Sequence, residues 1–556
     1  MRDCIILAMK NFILTPTQLW QDYDPARMPL RTSFVKYEKR DGFFDFGAYF
    51  DAEKADDGVV RIFAAGELRP EADKTVIFVG EPWDPTVPKP FVTLVDELGA
   101  GLVVADYSAI GFGTSGRSSY PSSLAWGKYG EGNAHFDKAD PSAEGSCQYL
   151  WSKVLRRTVT FVKSVLPNTE IVLVGAGIGA DMVWQCAATD ERVAGLVSIC
   201  NAGWREYEGI FRFDDNRREP EATDERERWL MGCAAQSYAK FVKCPCLYVS
   251  GSNNTMTSVD RVEATLSFVR NDRVYKTYYP NCNTILPLSW LTTLSAFIRG
   301  IGTDGEAYAS PEVTLEQRDG YIGANIDFPS HSPEIKLTLY YAYNEYDSAL
   351  RNWHPMEVGN GTARCIIPVA DYAESVFCYV TAEYPDGVAL SSYVAYLRTD
   401  AETIKEPVRK SHIVYERKTG LGEFAADSPS EYLTGEKPFL KEGAFGIAGI
   451  SCGNADLTTY AVGEDKYFRS DSSLLQFDAC SDNDRDFAVR VISKENGETR
   501  SYGAVCRLKG GEWTKCSLSP SMFKTEELKP LRDWNGIKGL IFEKMNGCVV
   551  KNILWV

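Results

Sequence analysis

The chain has 556 residues, 44% hydrophobic and 24% charged, with a formal net charge of -16. This is an ordinary globular composition in a chain too long for one core, so about three domains are expected. The acidic excess argues against a nucleic-acid backbone or an anionic membrane surface as partner; a neutral ligand such as a sugar is compatible with it.

Cys4 to Met9 is apolar but short, and Asp3 and Lys10 flank it. It does not read as a signal peptide, and no run approaches a membrane span. A cytoplasmic protein is therefore expected, or a secreted one whose leader has been removed. Residues 1–304 then alternate strand and helix signals. Val76-Ile-Phe-Val79, Gly101-Leu-Val-Val-Ala105, Ile171 to Val174, Leu196 to Ile199 and Cys246 to Val249 are short apolar runs. Leu150 to Leu166 has apolar residues at helical spacing, and Thr292 to Ile298 reads as a closing helix. Uninterrupted apolar strands between helices imply a mostly parallel sheet covered on both faces. The charged run Arg217 to Arg228 reads as a solvated helix face.

Around Gly305 the pattern turns β-rich. Val313 to Gln317, Ile335 to Tyr341 and Val376 to Ala382 are strand-like, and Pro385-Asp-Gly387 is a turn signal. Residues 305–402 have the size of one immunoglobulin-like or fibronectin-like sandwich. Thr399 to Lys410, charged and carrying Pro407, reads as a linker. Residues 403–556 are again strand-rich, with turns such as Lys509-Gly-Gly511, and fit a jelly roll. The expected class is thus multidomain: α/β followed by two all-β sandwiches.

Fifteen cysteines are scattered through apolar runs, with only Cys244-Pro-Cys246 closely spaced. Buried reduced thiols are expected, and no metal set at zinc spacing is found. Gly175-Ala-Gly-Ile-Gly-Ala180 and Gly111-Phe-Gly-Thr-Ser-Gly116 each fit the dinucleotide fingerprint. Neither is followed on time by a strand ending in the carboxylate that binds a ribose. No cofactor is expected, and nucleotide-dependent redox chemistry stays as a minor reading.

Glu170-Ile-Val-Leu-Val-Gly-Ala-Gly-Ile-Gly-Ala180 carries a further pattern. It looks like the strand, elbow and helix of an α/β-hydrolase, written Gly-x-Ser-x-Gly, with Gly175 and Gly179 flanking and Gly177 at the nucleophile's place. Residues 70–300 resemble bacterial α/β-hydrolases of the acetylxylan-esterase and acyl-peptidase type. Three further stretches match in order: Val104 to Ser115, Asp190 to Ser198, and Val242 to Asn254. In that register the acid falls on Asn254. The histidine, expected after Tyr279-Pro-Asn-Cys-Asn-Thr284, falls on Asn283. Glycine has no nucleophile, and an asparagine can neither stabilise an imidazolium by charge nor act as base. Of the four histidines (His135, His331, His354, His412) only His135 lies in this region, and it precedes the elbow, against the Ser, acid, His order. His135 reads as a loop histidine. Ser252 and Asp260 remain as residues that could take over a displaced role.

Gly511 to Phe523, Asp533 to Phe542 and Lys551 to Val556 resemble the last strands of galactose-binding-like jelly rolls, a fold shared by many carbohydrate-binding modules. The resemblance implies Tyr502, Trp513 and Trp534 as possible aromatic platforms for a sugar; core aromatics of a sandwich are the plainer reading. The expected function is a non-catalytic binding or scaffolding protein for a carbohydrate or a protein. The alternative is a carbohydrate or acyl esterase with displaced catalytic residues.

Overall fold

The computed structural model describes residues 13–82, 86–107, 117–121, 123–124, 139, 142–214, 219–301, 308–329, 334–359, 363–428 and 434–556. His135, His331, the second glycine motif at 111–116, and most of the loop after Tyr107 lie outside them.

The N-terminal half is one nine-stranded sheet. Its strands are β1 (Ser33–Lys39), β2 (Phe44–Ala55), β3 (Gly58–Leu68), β4 (Lys74–Val79), β5 (Gly101–Asp106), β6 (Glu170–Ala176), β7 (Val193–Ile199), β8 (Cys246–Gly251) and β9 (Val274–Tyr279). They lie in the order β1-β2-β3-β5-β4-β6-β7-β8-β9. The first three form an antiparallel edge, and from β5 onward neighbours run parallel. Four helices cover it: α1 (Lys89–Glu97), α2 (Cys147–Val165), α3 (Ile178–Thr189) and α4 (Trp290–Gly300). The sheet's two-residue period assigns its side chains to two cores. Ile77, Val79, Ile171, Leu173 and Tyr248 face the α2/α3 layer, while Val76, Phe78, Val172, Val174, Val197 and Val249 face the α1/α4 layer. Both faces are therefore dry, which is why these strands read as continuous apolar runs.

The C-terminal half is all-β and antiparallel. A three-stranded sheet (Glu312–Arg318, Tyr321–Asp327, Arg364–Ile366) faces a five-stranded one centred on Lys336–Tyr343 and Ser375–Glu383. A second sandwich pairs a six-stranded sheet, centred on Cys548–Trp555, with a five-stranded one containing Arg485–Glu495 and Glu498–Leu508. The segment read as a linker is pinned instead: Ile404 N–H donates to Gly320 O at 2.7 Å and Thr403 Oγ1 to Gln317 Oε1 at 2.8 Å. Arg228, assigned above to a solvated face, is buried and donates from Nε to Ala139 O at 3.0 Å.

The halves share a core. Trp353, Phe377, Tyr379 and Val394 of the first sandwich belong to the same buried cluster as the α2/α3 layer. Tyr278 of β9 meets Tyr379 edge to face at 5.6 Å. All fourteen described cysteines are free, and twelve of them are buried. Among the described residues no helix is long and apolar enough to cross a membrane.

Candidate functional site

Gly177 is the single residue between β6 and α3, with φ 58 and ψ -124. Few residues other than glycine tolerate that conformation without strain. The flanking glycines are required by close approach. A Cβ on Gly179 would lie 2.2 Å from Val79 O, and one on Gly175 would lie 2.5 Å from Val183 Cγ2. They let α3 start hard against the ends of β4 and β6. The sharp turn is then held from three sides. Gly177 N–H donates to Ile199 O at 3.1 Å, its carbonyl accepts from Ala180 N at 3.1 Å, and Asn201 Nδ2 donates to the same carbonyl at 3.0 Å.

The N-terminus of α3 is where a nucleotide phosphate or an oxyanion would seek N–H groups. Here the Ile178 N–H points at the Glu81 carboxylate, 3.5 Å away. A phosphate would meet like charge at that helix end.

The loops after β8 and β9 come together beside the turn. A Cβ on Gly251 would sit 2.1 Å from Cys282 O and 2.2 Å from Asn283 O, so only glycine lets the second loop lie on the first. Asn254 is buried there. Its Nδ2 donates to Cys200 O at 2.7 Å and Ser250 Oγ at 2.9 Å, and its Oδ1 accepts from Met256 N at 2.8 Å. Both N–H bonds and the oxygen are spent on the fold. Asn283 Oδ1 accepts from Thr255 N at 3.1 Å, and its Nδ2 donates to the Asp427 carboxylate at 3.3 and 3.4 Å. Burial raises the Asp427 pKa, and the Asn283 contact lowers it in part.

These loops also grip the sandwiches. Asn281 Oδ1 accepts from Trp353 N at 2.8 Å and its Nδ2 donates to Trp353 O at 3.1 Å. Asn253 Nδ2 donates to Arg351 O at 2.7 Å and Ala349 O at 3.1 Å. Asp260 pairs with Arg351 through two bonds of 2.6 Å, both side chains fully buried. Ser252 Oγ donates to Asn253 Oδ1 at 2.8 Å and accepts from Asn281 N at 2.9 Å. Both residues held in reserve for a displaced role are thus engaged in the fold.

The two described histidines lie in the β half. His354 Nε2 pairs with Glu464, and His412 packs edge to face on Phe468 at 5.0 Å. Burial would raise the Glu464 pKa, but His354 and Lys466 outweigh it and hold it at about 2. Among the described residues no group of three or more His, Cys, Asp or Glu is placed to hold a metal.

The suggested platforms are not spread for stacking. Trp534 is 1% exposed, donates from Nε1 to Ser473 O at 2.8 Å and packs on Trp555. Tyr502 is buried too, with its hydroxyl on Glu495 at 2.8 Å. Both belong to the sandwich core, which corrects the platform assignment. Trp513 is half-buried. Its Nε1 donates to Ala444 O at 2.9 Å, and the Lys551 amine lies 4.6 Å from a ring centroid. The exposed aromatic nearby is Phe445, 87% exposed at φ 62 in a tight turn. Its setting in Gly443-Ala-Phe-Gly446 is the one sequence signal that could have singled it out.

No family model and no curated protein matches this chain. Solved structures that resemble the N-terminal half include several esterases. Acetyl xylan esterase 1 from Thermoanaerobacterium sp. JW/SL YS485 is 16% identical with a TM-score of 0.36, over 50% of this chain and 92% of that one. The acetyl xylan esterase from Paenibacillus sp. R4 is 12% identical with a TM-score of 0.39, over 50% and 90%. The Pyrococcus furiosus esterase Pf2001 is 14% identical with a TM-score of 0.31, over 51% and 96%.

Proposed function

We propose that this chain is a non-catalytic binding or scaffolding protein on an α/β-hydrolase frame, with a carbohydrate or a protein as its ligand. It is read as three units, residues 1–304, 305–402 and 403–556. The observation that carries the reading is the elbow: the strained turn is built, and Gly177 stands at its apex. The two other triad places support it. Asn254 and Asn283 are amides whose hydrogen bonds run to the backbone, to Ser250, to Thr255 and to Asp427. A group so engaged cannot orient an imidazole or take a proton. Loops that carry acid and base in a working hydrolase serve here to dock the sandwiches.

A fluorophosphonate probe separates this reading from an esterase with displaced residues. The purified full chain should stay unlabelled under conditions that label a control esterase. Stoichiometric labelling of one serine would favour the esterase.

A further inference from the structure

The second sandwich carries two cysteines on one open side. Glu498–Leu508 is an edge strand of the five-stranded sheet, and Trp513–Leu518 is an edge strand of the six-stranded one. The turn 509–512 joins them directly. It is pinned at both glycines: Gly510 N–H donates to Asp484 Oδ1 at 2.8 Å and Gly511 N–H to Ser481 O at 2.8 Å. The two-residue period of each strand turns Cys506 inward with Leu508, and Cys516 inward with Leu518.

The register sets the two thiols toward each other. Cys506 lies opposite Phe487 on the neighbouring strand of its sheet, and Cys516 lies opposite Phe477 on the neighbouring strand of the other sheet. Those two rings meet edge to face at 6.4 Å across the core. Directly opposed residues of an antiparallel pair share a face with Cβ atoms about 5 Å apart, so each cysteine stands beside one ring of the touching pair. The thiols hydrogen-bond to each other. Cys516 S–H donates to the Cys506 sulfur, which lowers the Cys506 pKa and keeps the proton on Cys516. Both thiols are free, 8% and 4% exposed.

We propose that Cys506 and Cys516 form a reversible disulfide site that fastens the two sheets of this sandwich along their open edge. The co-reactant is a small disulfide, R–S–S–R. The Cys506 thiolate attacks one of its sulfurs, and the first R–SH leaves with the Cys506 proton. Cys516 then loses its proton and attacks the mixed disulfide at Cys506, which releases the second R–SH. Two protein thiols are oxidised and one small disulfide is reduced, with both protons carried off by the leaving thiols.

The test is non-reducing peptide mapping of the folded full chain after incubation with cystamine and alkylation of the remaining thiols. Trypsin releases residues 501–507 and 516–524 as peptides with one cysteine each, and the residues between them leave separately. The two peptides should be recovered mainly linked to each other, and dithiothreitol should separate them. The cross-linked chain should unfold at a higher temperature than the reduced chain, a shift that Cys516→Ser should lose. In that variant Cys506 should instead hold a mixed disulfide with cysteamine. Should Cys516→Ser not fold, the wild-type map alone decides. Recovery of both peptides unlinked, at cystamine concentrations that modify the half-buried Cys282 and Cys365, would overturn the site. So would linkage of either peptide to another cysteine in preference. Equal thermal midpoints for the cross-linked and reduced chains would overturn the fastening.

Discussion

Arg351→Met removes the cation from the pair that clamps the first sandwich to the loop after β8. The guanidinium gives two 2.6 Å bonds to Asp260, one of 2.7 Å to Glu345 O and one of 3.2 Å to Tyr346 O. It also lies 3.8 Å from the centroid of the Phe377 ring. Methionine keeps much of the apolar stem but strands the Asp260 carboxylate, which is fully buried. Orphaning one member of a buried pair costs about 3–5 kcal/mol. Urea unfolding followed by tryptophan fluorescence should show that loss, since Trp353 sits beside Arg351, 5.6 Å from guanidinium to ring. The double variant Asp260→Leu with Arg351→Met carries no orphan charge and should recover most of the loss. A cost below about 1 kcal/mol for Arg351→Met, or a double variant worse than the two single changes together, would refute the claim that this pair holds the halves in place.

Gly177→Ser should lower stability by about 1–3 kcal/mol, because serine must adopt φ 58 and ψ -124. It should give no ester turnover, since neither Asn254 nor Asn283 can activate the new hydroxyl; saturable turnover would show a latent base. Lys276 is buried with its amine 3.7 Å from the Tyr393 ring centroid, and desolvation lowers its pKa from 10.5 to about 8. The buried charge opposes folding below pH 8 and the penalty fades up to pH 10.5, so Lys276→Met should add up to about 3 kcal/mol at pH 7. The wild type should close that gap as pH rises, and denaturant titrations at pH 7 and 9.5 read it. Glu464, held at about 2 by His354 and Lys466 against its burial, contributes about 3 kcal/mol above pH 4.5. That contribution should vanish as pH falls toward 2, and Glu464→Gln should flatten this part of the acid-unfolding curve.

The parallel sheet was legible because each buried strand is a short apolar run, and the elbow because its glycines are required within a few residues of one another. A Cβ on Gly175 or Gly179 would meet other atoms at under 3 Å, a local demand that leaves a local mark. The places of Gly177, Asn254 and Asn283 came from the same register. What the asparagines bind was not legible: Asn283 meets Asp427 across 144 positions, and Asp260 meets Arg351 across 91. Polar pairs at such separations impose no period on the chain. Trp534 and Tyr502 misled because a core aromatic and a sugar platform present the same residue type, and only packing distinguishes them. The pinned segment at 399–410 misled in a similar way. Its charges and proline describe a surface strip, and the bonds from Thr403 and Ile404 that hold it down involve backbone and short polar groups.

Steady-state hydrolysis of p-nitrophenyl acetate by the purified full chain bears most directly on the proposal that the chain is non-catalytic. The rate should equal that of the buffer blank and of Gly177→Ser. A saturable rate well above the blank, abolished by one side-chain change within residues 1–304, would contradict it.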